Sequence, residues 1–325
     1  MSATSVREAI RSALAEEMER DESVFCYGED VGDYGGLYQV TAGLQERFGR
    51  ERVFDTPLSE TMLGGSAVGA ALTGTRPVVE IMYGDFLTIV ADHLVNYAAK
   101  MYFNYGDETS VPLVVRTAYG AGDQLGLHHS QMPISWFQNV PGLTVVAPST
   151  PREYKGLLKS AIRSDDPVIF LEHKLHYDES GEVPEGEYTV PLRRSDVKRE
   201  GSDVTVVAVG RMVDVALEAA EALAGEGVDC EVIDPRTLVP LDAEPILRSI
   251  RKTHALTVVH EEPTFGGYGG EIAAIAAKRA IYHLDGPVTR VGAPFTPVPF
   301  SKALEDAYLP DAEDVASAVR EALGG

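Results

Sequence analysis

Several things are scarce or missing in these 325 residues, and each removes a class of protein. There are only two cysteines, Cys26 and Cys230, set far apart in runs that read as buried strands. That excludes a disulfide framework and a thiolate metal site, and it suits a reducing, cytoplasmic setting. No apolar run approaches the ~20 residues of a membrane span. The opening MSATSVREAIRSALAEEMERD is interrupted by acids throughout and reads as a helix, not a signal peptide. Lysine is rare, 8 against 20 arginines, and 50 acids bring the net charge to -22 with a pI near 4.7. Such a chain is no general binder of nucleic acid or anionic membrane. Two explanations of the bias stand side by side. Carboxylates hold hydration water and salt screens their repulsion, as in a salt-adapted source; a GC-rich genome also favours arginine over lysine. Familiar motifs are missing too. No G-x-G-x-x-G joins a strand to a helix, and there is no P-loop, no G-x-S-x-G elbow and no H-E-x-x-H helix. Nor is there a short-period repeat.

What is present is an alternation. VFCYG (24–28), PVVEIM (77–82), PLVVRT (112–117), LTVVAP (143–148) and PVIFLE (167–172) read as buried strands. Amphipathic stretches at 86–103 and 151–163 fall between them, the latter with Ser149 or Thr150 as cap and Pro151 in the first turn. From about 174 the pattern dissolves into charge, glycine and proline, and beyond 202 it resumes as strand, helix, strand, helix to a last helix starting near 312. Strands separated by helices imply parallel sheets covered on both faces. The expected fold is α/β: two doubly wound domains with mainly parallel sheets, at 1–185 and 203–325, joined by a linker at 186–202.

Four stretches hold candidate chemistry. In DTPLSETMLGGSAVGAALTG (55–74), Glu60 stands at the mouth of a helix of small residues, with Ser59 as a plausible cap. A first-turn acid favoured by the helix dipole explains it as well as a ligand does. EIMYGDF (80–86) ends an apolar strand with an aromatic, Phe86, able to stack on a flat ring or simply to join the core. GLHHSQMP places His128 and His129 in a glycine-rich loop, either for acid–base work or as surface polarity. HEEPTFGGYGGEIAA (260–274) opens a helix with glycines that permit close backbone approach, or merely a flexible turn.

Taken in order, YGEDVG, DTPLSE, VGAALTG, EIMYGDF, HHSQ, PGLTVVAPSTP, KGLLKSAI, DPVIFLE, IDPRTLVPLD and HEEPTFGGYGGE resemble one family across about residues 5–320. It is the beta subunit of the decarboxylating first component of 2-oxo acid dehydrogenase complexes, of pyruvate, branched-chain and acetoin types. The family is transketolase-like, with a pyrimidine-binding domain and a transketolase C-terminal domain. The resemblance implies thiamin diphosphate as cofactor, with its Mg²⁺ and diphosphate held by a partner alpha subunit through a Gly-Asp-Gly segment. This chain has no Gly-Asp-Gly, so it looks like half of an active site.

By that resemblance Glu60 hydrogen-bonds the pyrimidine ring nitrogen, promoting the imino form of the neighbouring amine, which then removes the thiazolium carbon proton. Burial is expected to raise its pKa, against the pull of the helix dipole. Phe86 matches the aromatic on the pyrimidine, Met82 a nearby contact, and Leu58 and Ser59 the lining of the same turn. His129 matches a histidine at the channel mouth that assists decarboxylation or acyl transfer to a lipoyl disulfide; His128 departs from the pattern and has no assigned role. Relatives often bind K⁺ near KSAI, which points to Ala161, Ser164 and Asp166 here, with side chains that depart from the family's. The implied assembly is an alpha2-beta2 heterotetramer served by a lipoyl acyltransferase, acting on a small 2-oxo acid or acetoin. The rival readings are another transketolase-like thiamin enzyme subunit and a non-catalytic scaffold subunit.

Overall fold

Runs of β-branched residues in this chain form parallel strands because helices cover both faces of each sheet. In the computed structural model, which describes residues 2–106 and 109–324, these strands fall in two compact units. One comprises residues up to Tyr119 together with Asn139–Leu192; the other comprises Gly120–Gln138 together with the chain from Arg193 onward.

The first unit contains β1 (Ser2–Ser5), β2 (Val24–Gly28), β3 (Val53–Asp55), β4 (Arg76–Tyr83), β5 (Val114–Tyr119), β6 (Thr144–Val146), β7 (Val168–His173) and β8 (Ser180–Val183). Six of them form parallel pairs in the order β6-β7-β5-β4-β2-β3, while β1 and β8 make an antiparallel ribbon. Every residue of β5 and β7 is buried, as expected of strands covered on both sides. One core holds Ile10, Leu14 and Met18 of the Val6–Arg20 helix and Leu157 and Ile162 of the Pro151–Arg163 helix, together with Cys26, Val78 and Phe170 from the strands. Sequence sets both helix starts. Ser5 and Glu8 close a capping box, and the Thr150 hydroxyl accepts from the Glu153 amide one residue before Pro151.

The helix Glu60–Leu72 packs closely, as its small residues suggest. A Cβ on Gly64 would lie 3.1 Å from the Val90 Cβ, and one on Gly65 would lie 3.1 Å from the His93 ring. The stretch 86–103, expected as one amphipathic helix, is broken instead. A helix at Leu87–Asp92 widens into a π turn at His93–Tyr97, tightens at Ala98–Lys100 and resumes at Met101–Tyr105. Leu87, Val90, Leu94 and Ala98 are buried at the spacing of one helical face, and Ala99, off that face, is buried with them.

In the second unit, β9 (Asp196–Arg199), β10 (Val204–Ala208), β11 (Cys230–Asp234), β12 (Thr237–Val239), β13 (Leu256–Pro263) and β14 (Thr289–Ala293) follow in sequence. The sheet order is β14-β13-β10-β11-β9, parallel except for the edge strand β9. β9 lies inside the charged stretch expected to be a linker; its Val197 is exposed, so its apolar content is too low to signal a strand. Helices Met212–Ala224 and Ala312–Ala322 share one core with Val204, Val206 and Val232. On the opposite face, the Thr205 hydroxyl meets Ser249 and Thr253 of the Glu244–Thr253 helix. Both cysteines are buried, free and strand-borne; burial pushes the Cys26 thiol up to about 12.

Candidate functional site

Parallel sheets expose ligand sites beyond the carboxyl ends of their strands. Gly28 and Asp55, the last residues of β2 and β3, are in register with each other and Gly28 with Glu80 of β4, which runs on to Tyr83, so the three neighbouring strands release their chains at the same edge. Glu29 leaves β2, the turn Thr56–Ser59 leaves β3, and Gly84–Phe86 follows β4. Five expected residues, Leu58, Ser59, Glu60, Met82 and Phe86, therefore share one edge of the sheet.

The mouth of the Glu60–Leu72 helix is not capped as the sequence suggests. The Ser59 hydroxyl makes no capping hydrogen bond; instead the Ser59 amide donates to Oε1 of Glu29 at 3.2 Å. Glu29 is buried, and burial first, then the charge of Glu60, pushes its carboxyl above the usual range, against the pull of the Ser59 amide. Glu60 itself is only half-buried in this chain. Asp55 steadies the loop after Glu29 by accepting from the amides of Gly32 at 2.6 Å and Asp33 at 3.1 Å. Around this carboxylate pair the surface is unusually apolar. Leu58 is 79% exposed, and Met62 and Ile89 are exposed with it. Phe86 is half-buried, edge-on to Tyr83 with ring centroids 5.9 Å apart. The Thr56 hydroxyl is buried without a hydrogen-bond partner among the described residues.

Beneath this edge lies a buried ion network. Arg116 of β5 makes a two-pronged contact with Glu172 of β7, at 2.7 and 2.8 Å, and reaches Glu80 of β4 at 2.8 Å. Burial works against the guanidinium charge, but Glu172 and Glu80 outweigh it and hold Arg116 well above its usual value. Tyr177 donates to Glu172 at 2.8 Å. Met82 lines a small pocket with Glu80, Glu172, Thr117 and Tyr177, so the network sits behind one of the expected contact residues. Neither Glu29 nor this network was singled out as chemistry from sequence. The available signal was a single charge within each of the apolar runs PVVEIM, PLVVRT and PVIFLE, with Glu80 and Arg116 in register.

The remaining expected residues lie elsewhere. Ala161 in the last turn of the Pro151–Arg163 helix, and Ser164 and Asp166 just after it, precede β7, at the amino ends of the strands and so at the opposite edge from Glu60. There the Asp166 amide donates to the Ser164 hydroxyl at 3.1 Å, and Arg76 donates to the carbonyls of Ile162 and Ser164 at 3.0 and 2.9 Å. His128, exposed, and His129, half-buried, belong to the second unit. The loop that carries them also lines a cleft of about 720 Å³ with Trp136, Phe265, Phe295 and the buried Glu262.

Two α/β units with mainly parallel sheets define the transketolase-like fold class that the resemblance implied. Comparison with known proteins agrees. Residues 2–179 match the family described as transketolase, pyrimidine binding domain, and residues 194–315 match transketolase, C-terminal domain. The chain is 44% identical to the acetoin:2,6-dichlorophenolindophenol oxidoreductase subunit beta of Bacillus subtilis (strain 168), covering 98% of this chain and 97% of that one. It is 43% identical to the 2-oxoisovalerate dehydrogenase subunit beta of the same organism, covering 99% of each. It is 45% identical to the pyruvate dehydrogenase E1 component subunit beta of Rickettsia felis, covering 97% of each. Among solved structures, a split gene transketolase described as an inactive beta4 tetramer has a TM-score of 0.81 at 24% identity, covering 99% of both chains. The chain belongs to the family of beta subunits of the thiamin-diphosphate-dependent first component of 2-oxo acid dehydrogenases.

Proposed function

We propose that this chain supplies the pyrimidine half of a thiamin diphosphate site and works only with an alpha subunit, in an alpha2-beta2 tetramer that decarboxylates a small 2-oxo acid. The observation that carries this reading is the pair Glu29–Glu60 at the mouth of the Glu60–Leu72 helix, the first with its carboxyl pushed up by burial and then by the charge of the second. The residues present fit an amino-pyrimidine ring: a carboxyl group, a buried Thr56 hydroxyl lacking a partner, the exposed Leu58 and the half-buried Phe86. Bound thiamin diphosphate supplies the carbon nucleophile and the electron sink for loss of CO₂.

The chain's own residues do the rest. Glu60 holds a proton at the ring nitrogen of the pyrimidine. Glu29, which accepts from the Ser59 amide, stands beside it and holds the turn at the mouth of the helix. Phe86 would pack on the ring, with Met82 as a nearby contact and Leu58 and Ser59 lining the same turn. His129 moves a proton during acyl transfer to the disulfide of a lipoyl domain carried by an acyltransferase. Mg²⁺ and the diphosphate belong to the alpha subunit. A potassium ion at the turn after the Pro151–Arg163 helix is part of the reading. Its ligands would be Ala161, Ser164 and Asp166, where Arg76 already donates to the Ser164 carbonyl and the Ser164 amide to the Ala161 carbonyl. The buried free thiols fit a cytoplasmic location, and no helix among the described residues is long and apolar enough to cross a membrane. Relatives named for acetoin, 2-oxoisovalerate and pyruvate stand at 44%, 43% and 45% identity, so the shared residues set the reaction class and others select the substrate.

Calorimetry with thiamin diphosphate and Mg²⁺ tests the half-site. The purified chain is expected to bind weakly and to gain tight binding when the alpha subunit is added. Micromolar binding by the purified chain overturns the proposal.

A further inference from the structure

The glycine-rich loop GAGDQLG (120–126), which lacks the spacing of a dinucleotide fingerprint, has an unusual backbone. Gly120, Gly122, Gln124 and Gly126 all have positive φ, at 97°, 104°, 54° and 70°, alternating with residues of ordinary conformation. Alternating backbone of this kind points successive N–H groups inward as an anion-binding nest. The anion is already there, and it comes from this chain. Glu305, on the Lys302–Tyr308 helix and 1% exposed, accepts from the Gly122 amide at 2.7 Å with one oxygen and from the Gln124 amide at 2.9 Å with the other. Glu261 of β13, also buried, accepts from the Ala121 amide at 2.6 Å. Farther along, buried Glu262 accepts from the amide and hydroxyl of Ser135 at 2.7 and 2.8 Å. Ala121 sits in a small apolar cluster with Ala293, Val298 and Tyr308.

His129 hangs between these fixed points. Its amide donates to the Gly126 carbonyl at 3.4 Å, and Phe300 lies against Gly126, where a Cβ would come within 3.2 Å of the ring. The glycines adopt positive φ without cost, but the left-handed Gln124 among them does not persist unless its surroundings impose it. A carboxylate accepting two backbone amides is a strong, directional restraint of the required kind.

We infer that Glu305 is a positioning residue for His129, holding its loop in the one backbone path that presents the imidazole for acyl transfer; this rests on the role of His129 proposed above. Glu305→Gln keeps the size but turns an amide donor toward the Gly122 and Gln124 donors. Gly122→Ala strains the same nest from the loop side without touching Glu305, and decides the matter alone if the first variant does not fold. Hydrogen exchange of loop amides 121–126 in the purified chain is expected to accelerate by about tenfold or more in both variants, with the β13 amides unchanged. In the assembled enzyme, the ratio of lipoyl-domain acylation to dichlorophenolindophenol reduction is expected to fall by about tenfold, the same fall expected of His129→Ala. Unchanged loop exchange overturns the restraint. Fast loop exchange with an unchanged ratio, when His129→Ala lowers the ratio, overturns the positioning role. An unchanged ratio in His129→Ala itself removes His129 from transfer, and the inference goes with it.

Discussion

Replacing Glu60 by glutamine separates a structural acid from a chemical one, because the structure assigns very different magnitudes to the two roles. As a first-turn acid of the Glu60–Leu72 helix, the carboxylate contributes about 0.3–1 kcal/mol through the helix dipole. Even that is offset, since Glu60 is also the second cause, after burial, of the raised carboxyl of Glu29; a neutral side chain relieves that repulsion. Glu60→Gln should thus fold and assemble with stability changed by less than ~1 kcal/mol. As the group that holds a proton at the pyrimidine nitrogen, the same residue cannot be replaced by an amide. A positioned acid–base group is worth roughly 10²-fold or more, about 2.7 kcal/mol of barrier. The assay is hydrogen–deuterium exchange at the thiazolium carbon of cofactor bound to the tetramer, compared with thermal unfolding of the same samples. Slow exchange in a stable variant is the expected result. Equal exchange rates in well-folded wild type and variant would refute the chemical role outright.

Two further expectations concern stability. His260 is fully buried, its Nε2 has no hydrogen-bond partner among the described residues, and burial holds its pKa at about 4 against an ordinary 6.5. The unfolded chain takes up this proton first, so stability present above pH 6.5 should be lost as pH falls toward 4, by ~3 kcal/mol in all. Urea titrations over that range on wild type and His260→Gln check this; parallel curves would remove His260 as the cause. Thermal unfolding in matched KCl and NaCl series addresses the acidic surface and the cation turn together. A midpoint rising toward molar salt in both series marks salt adaptation, and a flat or falling one favours the genomic bias. A gain at millimolar KCl alone marks an ion near Ala161 and Asp166, and identical series at low salt exclude it.

The parallel strands and the helices that cover them were legible because burial on both faces leaves unbroken β-branched runs such as PVIFLE, and because Thr150-Pro151 and Ser5 start helices by local chemistry. Local chemistry misled at Ser59, whose capping role passes to the amide acceptor Glu29 from a neighbouring strand. It also failed across 86–103, where close approach to Gly64 and Gly65 accompanies a change of helical pitch. The site residues on one strand edge could be named from pattern and resemblance, but Glu29 acquires meaning only once β2 and β3 are known to be adjacent. The His129 loop was the least readable part. Its restraints come from Glu262, Glu261 and Glu305, between 127 and 183 residues away along the chain, and the helix bearing Glu305 follows the proline-interrupted FTPVPF.

That long-range clamp bears on how the polypeptide can be taken apart. A cut near Leu192 looks like the natural place to separate an N-terminal from a C-terminal module. A fragment ending there would keep residues 120–138 but discard the three glutamates that shape them. A fragment beginning there would keep the glutamates with no amides to receive them, and the site that Ala121 fills beside Ala293, Val298 and Tyr308 would be left open. Neither piece is a self-sufficient building block. Recombination that swaps the C-terminal half between relatives must therefore carry the GAGDQLG loop along with it, although that loop is encoded in the other half.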